Sequence, residues 1–156
     1  MNRPSDTFRD ELTNLPGREL LDSLSAEFQN RDKTVIWTIM MIDVDHFKLI
    51  NDIHGHLIGD RVLQEISNIL QSNLRKTDVM IRFGGDEFLG IFKNTGKKAG
   101  LNYAERVLEI ISNLLIARNL KLTLSIGLTE SNQDDGELYE LIDRADRRLY
   151  DAKSSG

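Results

Sequence analysis

Apolar residues recur along the chain with two different periodicities, which predict where helices and strands form. In residues 18–29 the leucines and a phenylalanine recur at helical spacing, so this segment is predicted to be an amphipathic helix. Residues 34–42 form an almost unbroken apolar run that is rich in β-branched side chains. Such a run is typical of a central strand that is buried on both of its faces.

The second half of the chain repeats both patterns. Helical stripes in residues 61–75, 100–117 and 137–153 predict three further helices. Asp60 precedes the first of these stripes and is expected to cap that helix. The near-regular alternation of residues 120–128 predicts a half-buried strand.

A pair of glycines followed by a pair of carboxylates stands between two short apolar runs. Gly84-Gly85 lies between residues 79–81 and 89–92, which predicts a β-hairpin with the glycines in its turn. The missing side chains would let a bulky anion approach the backbone closely. The carboxylates Asp86 and Glu87 follow at the rim of the turn. Taken alone, this pattern is equally compatible with a solvated turn that has no chemical role.

A second carboxylate cluster follows the predicted central strand. Asp43 and Asp45 are two residues apart, so in an extended chain both side chains point to the same side. An EF-hand loop is excluded, because Phe47 and Lys48 occupy positions where that loop needs a ligand and a glycine. The histidines in residues 51–60 fit helix-surface or capping positions on spacing alone.

The order of the predicted elements indicates an α+β domain. A helix, a strand, helices, a hairpin, a helix, a strand and a last helix fit a largely antiparallel central sheet that is flanked by helices. If the strand that ends at Asp43 neighbours the hairpin that turns at Asp86, their carboxylates converge and repel each other unless a cation lies between them. Oxygen ligands without a His-Cys set favour Mg²⁺ or Mn²⁺, and Mg²⁺ held by few carboxylates usually binds phosphate oxygens too. The cluster therefore predicts nucleotidyl or phosphoryl transfer.

Composition narrows the class of protein. The 156 residues are predicted to form one domain, residues 10–156, after a flexible tail or linker remnant at residues 1–9. The net charge of −5 disfavours a broad nucleic-acid-binding face, so local donors and metal ions must hold any phosphate. The chain has no cysteine, which excludes disulfides and thiolate chemistry and fits a reducing compartment.

A membrane segment is not expected. The longest apolar run, residues 35–42, is far shorter than the ~20 residues of a membrane span, and no signal peptide opens the chain. We therefore expect a cytoplasmic protein.

Several short motifs occur together in the order that is typical of one family. The chain resembles the GGDEF domain, the catalytic domain of diguanylate cyclases, over essentially its whole length. The matching stretches are residues 10–16, 43–48, 51–52, 55–56, 59–60, 82–88, 125–128, 145–146 and 149–153. Each stretch alone is a weak signal, but together and in order they are highly specific. The resemblance implies a sheet like that of nucleotide cyclases and the polymerase palm.

The resemblance also implies a reaction. Two GTP molecules would condense to cyclic di-GMP and two pyrophosphates, with one GTP on each subunit of a homodimer. Asp43 and Asp86 would hold Mg²⁺ together with the Val44 carbonyl. Glu87 would be a further metal ligand or the base for the attacking hydroxyl, and these two roles are not separated by the resemblance. Asp45 would orient the local backbone and not bind metal.

Substrate binding is implied for a wider set of residues. Backbone N–H groups of Phe47 and Lys48, and of the Gly84-Gly85 turn, would hold phosphates. Asn51 and Asp60 would read the guanine edge. The remaining substrate contacts would be His56, near the guanine pocket, and Lys153, whose ammonium group reaches a phosphate.

A separate product-binding site is implied ahead of the hairpin. Arg75 and Asp78 match the Arg-x-x-Asp motif of product inhibition in this family, with Arg82 contributing from the adjoining strand. Arginine grips a phosphate bidentately or stacks on guanine, and the aspartate accepts guanine N–H donors. Cyclic di-GMP would then be an inhibitor as well as the product.

Two other functions stay open. A catalytically silent module that binds cyclic di-GMP or docks a partner is disfavoured by the intact signature turn and by Asp43. A cyclase that uses ATP or a mixed substrate pair is disfavoured by Asn51 and Asp60. The chain departs from the family pattern at Gly17, where asparagine is usual, and at Gly156, after which relatives typically continue with arginine and asparagine. We expect the first departure to matter little and the second to reduce substrate affinity. Without a preceding heptad segment, a largely monomeric chain is expected.

Overall fold

A computed structural model describes residues 9–155, which form a four-stranded sheet and five α-helices. The strands are β1 (Thr38–Val44), β2 (Val79–Arg82), β3 (Glu87–Phe92) and β4 (Leu124–Glu130). The helices are α1 (Leu21–Gln29), α2 (Phe47–His54), α3 (His56–Ser72), α4 (Lys97–Ser112) and α5 (Leu138–Ser155). A short 3-10 turn, Arg18–Leu20, precedes α1. The predicted α+β class is confirmed.

The sheet has the strand order β2-β3-β1-β4, and every pair of neighbours is antiparallel. All seven residues of the central strand β1 are buried, as its apolar run predicts. Its side chains alternate between two cores. Met40, Ile42 and Val44 pack with residues of α3 and α4 on one face. Ile39 and Met41 pack with residues of α1 and α5 on the other.

The two long strands of the core are shifted from their predicted positions. The prediction placed the first at residues 34–42, but β1 begins at Thr38, which pairs with the ends of β3 and β4. It then continues to Val44, whose N–H donates to the Asp86 carbonyl at 3.1 Å. Strand β4 begins at Leu124, which pairs with Val44, the last residue of β1. Residues 120–123 therefore have no strand to pair with.

The prediction that Asp60 caps a helix is wrong. Helix α3 begins at His56, so Asp60 is its fifth residue and lies inside the helix. Gly55, with φ of 88°, separates α3 from α2. The prediction gave no bounds for α2, an eight-residue helix in which Ile50 is buried and Phe47 packs against the core. The prediction extended the next helix to residue 117, but α4 ends at Ser112. It ends there because the Asn113 side chain bonds to the Glu109 carbonyl in the last turn.

The segment before α1 folds into a tight turn against the sheet. The Asp10 carboxylate accepts hydrogen bonds of 2.8 Å from both the N–H and the hydroxyl of Thr13. Arg9 pairs with Pro16 in an isolated β-bridge, and the Pro16 carbonyl accepts from the N–H of Arg82 at 3.0 Å. This turn places Asp10 beside the hairpin. Of the predicted tail at residues 1–9, all but Arg9 lie outside the described residues. Between residues 9 and 155 no helix has the length and apolar character to cross a bilayer.

Candidate active site

Two carboxylates that are 44 positions apart in the numbering face each other in the sheet. Asp43 of β1 is the register partner of Glu87 of β3, which places both side chains on the same face. Asp86 lies one residue outside the ladder, and its carbonyl accepts the N–H of Val44. The sheet therefore brings the two carboxylate segments together, as expected if their strands were neighbours.

In the turn that carries Asp86 and Glu87, a glycine leaves room for the Glu87 carboxylate. The N–H groups of Phe83 and Gly84 both donate to the Glu87 carbonyl, at 2.8 and 3.2 Å. A Cβ on Gly84 would lie 2.6 Å from the Glu87 Oε1, whereas a Cβ on Gly85 would have no atom within 4 Å. Neither glycine has a positive φ. Gly84 is therefore needed for room and not for backbone conformation, and Gly85 leaves the outer side of the turn open.

Two arginines hold this turn in place. The Arg82 guanidinium donates to both carboxylate oxygens of Asp10, at 2.9 and 2.8 Å, and to the Gly85 carbonyl at 2.8 Å. Arg18 donates to the Phe83 carbonyl at 2.7 Å, and its guanidinium lies 3.9 Å from the centre of the Phe83 ring. Beside the turn is a groove of about 460 Å³, lined by Arg9, Asp10, Gly17, Glu19, Arg82, Phe83, Gly84 and Gly85.

The pKa of Asp10 is below its usual value. Burial alone would raise the pKa, but the hydrogen bonds from Thr13 and the charge and hydrogen bonds of Arg82 outweigh it. Asp10 is thus held as a carboxylate that fixes Arg82. Asp10 and Arg18 were not identified as functional residues from the sequence. Residues 10–16 match the family pattern, so the sequence did mark Asp10, but it indicated no role for this residue.

Negative charge accumulates around Glu87. The pKa of Glu87 is raised, first by burial and then by the nearby charges of Asp86 and Asp146, while Arg18 opposes the shift. A carboxylate whose ionised form is disfavoured by its carboxylate neighbours gains from a bound cation.

The donor set fits a divalent cation with oxygen ligands. One carboxylate oxygen of Asp43, Oδ1, is buried and has no hydrogen-bond partner, which costs free energy unless a ligand satisfies it. The other oxygen bonds to the ammonium of Lys153 on α5. The described part of the chain holds no ready-made cluster of three or more acidic or histidine side chains around a metal position. Two facing carboxylates suit Mg²⁺, which keeps several waters and takes further ligands from phosphate.

A cavity of about 330 Å³ lies next to Asp43. It is lined by Asp45, His46, Ser125, Ala152 and Lys153. Asp45 accepts hydrogen bonds from the hydroxyls of Thr123 at 2.7 Å and Ser125 at 2.6 Å, so both of its oxygens tie the loop after β1 to β4.

The first turn of α2 opens next to this cavity. His46, with φ of 56°, is its N-terminal flanking residue and makes no side-chain hydrogen bond to the helix. The N–H groups of Phe47 and Lys48 therefore have no side-chain cap, which is the arrangement that binds anions at helix N-termini.

Helices α2 and α3 hold the residues that the resemblance implies for guanine. The side-chain oxygen of Asn51 is buried and has no hydrogen-bond partner. A Cβ on Gly59 would lie 1.8 Å from this oxygen, so only glycine leaves room for Asn51 there. Asp60, the next residue, is exposed, and so is His56 at the start of α3.

Arg75 and Asp78 lie together, apart from the residues described so far. The Asp78 side chain is only 3% exposed and accepts from the N–H of Arg75 at 2.9 Å. Its other oxygen is buried without a partner. Arg75 also donates to the Thr95 hydroxyl. The residues of this pair line a cavity of about 230 Å³, together with Asn73, Phe92, Thr95, Ala99, Asn102, Tyr103 and Arg106.

Arg106 was not predicted from the sequence, and Arg82 was predicted to bind product together with this pair. Arg106 lines the cavity from α4, whereas Arg82 is not among its lining residues and is bonded to Asp10 and Gly85. No short motif links Arg106 to Asp78, because α4 brings it there across the fold. Burial and the charge of Asp78 raise the pKa of Tyr103 in the same cavity.

Comparisons with known proteins agree with this architecture. The family described as "Diguanylate cyclase, GGDEF domain" matches residues 7–156. Diguanylate cyclase A of Treponema denticola is 35% identical over 140 residues, which are 88% of this chain and 38% of that protein. Diguanylate cyclase DgcZ of Escherichia coli is 34% identical over 151 residues, which are 94% of this chain and 50% of that protein. The chain therefore spans half or less of the length of these relatives.

Solved structures show the same fold. The GGDEF domain of DgcB from Caulobacter crescentus, in complex with c-di-GMP, has a TM-score of 0.88 and 26% identity, and the match covers 100% of this chain and 94% of that one. Diguanylate cyclase SiaD from Pseudomonas aeruginosa, in complex with its activator SiaC, has a TM-score of 0.87 and 39% identity, over 97% of this chain and 60% of that one. These likenesses confirm the fold class expected from the sequence.

Proposed function

Because the chain belongs to the GGDEF family of diguanylate cyclase domains, we propose that it condenses two GTP molecules into cyclic di-GMP and two pyrophosphates. The observation that carries this proposal is the pairing of Asp43 with Glu87 on one face of the sheet, next to an open glycine turn. Facing carboxylates suit a metal-assisted phosphoryl reaction, and an open turn admits a nucleotide.

The register of the sheet supports different roles for the two turn carboxylates. Glu87 faces Asp43, so these two side chains, with the Val44 carbonyl, would hold Mg²⁺ or Mn²⁺. The bound ion would neutralise charge on the α-phosphate and lower the pKa of the attacking hydroxyl. Asp86 lies outside the ladder, where its carboxylate is free to accept the proton from a ribose 3′-hydroxyl or to join the metal ligands.

Substrate positioning falls to the surrounding backbone and side chains. The uncapped N–H groups of Phe47 and Lys48 donate to the phosphates, and Lys153 exchanges its contact with Asp43 for a phosphate. The unpaired Asn51 oxygen and the exposed Asp60 carboxylate accept the N–H donors of the guanine edge, with His56 nearby. Adenine offers a different set of donors, so these acceptors select GTP.

Residues 9–155 form one such site, and the product contains two nucleotides. The reaction therefore needs a homodimer in which each 3′-hydroxyl attacks the α-phosphate of the opposite GTP. Both substrate and metal ion are cytoplasmic, and a chain without cysteines fits that location.

Product inhibition is proposed at the cavity of Arg75, Asp78 and Arg106. The buried, half-unpaired Asp78 carboxylate suits guanine N–H donors, and the two arginines suit the phosphates of a cyclic dinucleotide. The geometry supports Arg106 as the third contact in place of Arg82, which already holds the signature turn.

The proposal is tested by incubating the chain with GTP and Mg²⁺ and identifying the product. Asp43→Ala and Glu87→Ala should each lower the rate at least ~100-fold, since each removes a carboxylate that anchors the metal. Asp143→Ala, which removes an exposed carboxylate on α5, is the matched control. Binding of cyclic di-GMP or GTP without any synthesis would favour a silent binding module, and near-normal synthesis by either variant would contradict the site.

A further inference from the structure

Three large apolar side chains are exposed on the α2–α3 helix pair. Leu49 is 54%, Ile53 66% and Leu57 86% exposed. Leu49 and Ile53 are one turn apart on α2, and Leu57 lies in the first turn of α3, just across Gly55. Single exposed leucines are common, but these three lie close together in the chain on one helix pair, and we call them the α2–α3 patch.

The α2–α3 patch borders one of the residues proposed to bind guanine. Asp60 follows Leu57 by three residues in α3. Residues that are three or four positions apart are neighbours on a helix surface. Whatever covers this patch therefore lies beside the bound nucleotide.

Charges of both signs surround the patch. On α2 the exposed Lys48 and Asp52 are one turn apart, and on α3 the exposed Asp60 and Arg61 are adjacent. Each helix thus contributes one positive and one negative side chain. A surface of this kind can meet its own copy across a two-fold axis without setting like charges against each other.

We infer that the α2–α3 patch contacts a second copy of this chain when the two nucleotide sites come together. The inference rests on the proposed function, in which each site is incomplete without the GTP of the other copy. Stable interfaces bury ~800 Å² on each partner, far more than three partly exposed side chains supply. The contact is therefore weak in the free chain and becomes substantial when bound nucleotides add their own surface to it.

The test measures self-association without requiring turnover. Sedimentation velocity is recorded with Mg²⁺ and a GTP analogue whose α–β bridge is a methylene group, for the wild type and for Leu57→Glu, Leu57→Met and Leu115→Glu. Leu115 is 89% exposed in the segment after α4, so Leu115→Glu is the matched control for adding a charge to an exposed leucine. Leu57→Glu should raise the dimer dissociation constant at least tenfold, and the other two variants should stay within twofold of wild type.

Affinity for the analogue is measured on the same variants at protein concentrations where each is monomeric. Leu57→Glu should bind it within twofold of the wild type, because the side chain acts on the partner copy and not on the nucleotide. Unchanged association of Leu57→Glu, a parallel loss of nucleotide affinity, or no nucleotide-dependent association of the wild type would each overturn the inference. A chain that associates through this patch but makes no cyclic di-GMP would instead overturn the proposed function alone.

Discussion

The carboxylate of Glu87 lies over the α-carbon of Gly84, so that a Cβ at this glycine would sit 2.6 Å from the Glu87 Oε1. Gly84→Ala should therefore displace the Glu87 carboxylate from this position and lower the initial rate by roughly 100-fold, since a misplacement of ~1 Å can have that effect. Gly85→Ala is the matched control, because a Cβ there meets no atom within 4 Å. Equal loss of activity in both variants would show that the turn needs glycine for another reason.

The contact of Arg82 with Asp10 should stabilise the fold as well as the turn. Arg82→Lys keeps the charge but loses the bidentate geometry, and we expect it to lower the free energy of unfolding by ~1–2 kcal/mol. Glu27→Gln, which breaks the more exposed pair with Lys93, should cost less than ~1 kcal/mol. Chemical denaturation of both variants provides the comparison, and a larger loss in Glu27→Gln would contradict it.

Runs of neighbouring residues made much of this site predictable. The Gly-Gly hairpin and the buried strand before Asp43 follow from strong local patterns that few other structures satisfy. Other contacts between distant segments could not be predicted, since Asp10 meets Arg82 across 72 positions and Arg106 reaches the cavity of Asp78 only through the packing of α4. The start of α3 was missed because a single glycine at φ of 88° decides where α2 ends.

Lys153 is expected to compete with metal for Asp43 in the nucleotide-free chain, because its ammonium bonds to one oxygen of that carboxylate. Lys153→Met should therefore raise the affinity of the free chain for Mg²⁺ while lowering the affinity for GTP, since the phosphates lose a cation. Calorimetric titration separates the two effects. If both affinities fell together, Lys153 would be holding the site open for the metal.

Asp135 should make stability depend on pH. Burial by itself would raise the pKa of this carboxyl, but hydrogen bonds from Arg144 and the Asn132 N–H, with the charges of Arg144 and Arg31, lower it. Its folded-state pKa lies below its unfolded value near 3.8, so its contribution is complete above that pH and is lost as the pH falls through the folded pKa.

Asp135→Asn should accordingly lower the free energy of unfolding by ~1–3 kcal/mol at pH 7, and the difference from the wild type should shrink below about pH 4. Denaturation at a series of pH values gives the measurement. Asp143→Asn, at an exposed position of α5, serves as the control and should show a small difference at every pH. A constant gap between Asp135→Asn and the wild type from pH 7 to pH 3 would refute the linkage.

Inhibition by cyclic di-GMP should depend on the cavity beside α4. Arg75→Ala and Arg106→Ala should each weaken inhibition at least tenfold, because each removes a cation from the same cavity and leaves the catalytic residues intact. Arg61→Ala, which removes an exposed arginine of α3, is the control. Measured under saturating substrate, it tests whether the loss of any arginine weakens inhibition. Equal inhibition of Arg106→Ala and of the wild type would show that Arg106 does not bind the product.

The central position of β1 divides the site into two halves of different local stability. Strand β1 is buried along its whole length and paired on both edges, so we expect the amide hydrogens of this strand to be among the slowest of the domain to exchange with solvent. The Gly84-Gly85 turn joins β3 to the four-residue edge strand β2, which opens more easily. A signal that loosens or tightens this turn can thus alter the meeting of Glu87 with Asp43 while the thermal stability of the domain stays the same.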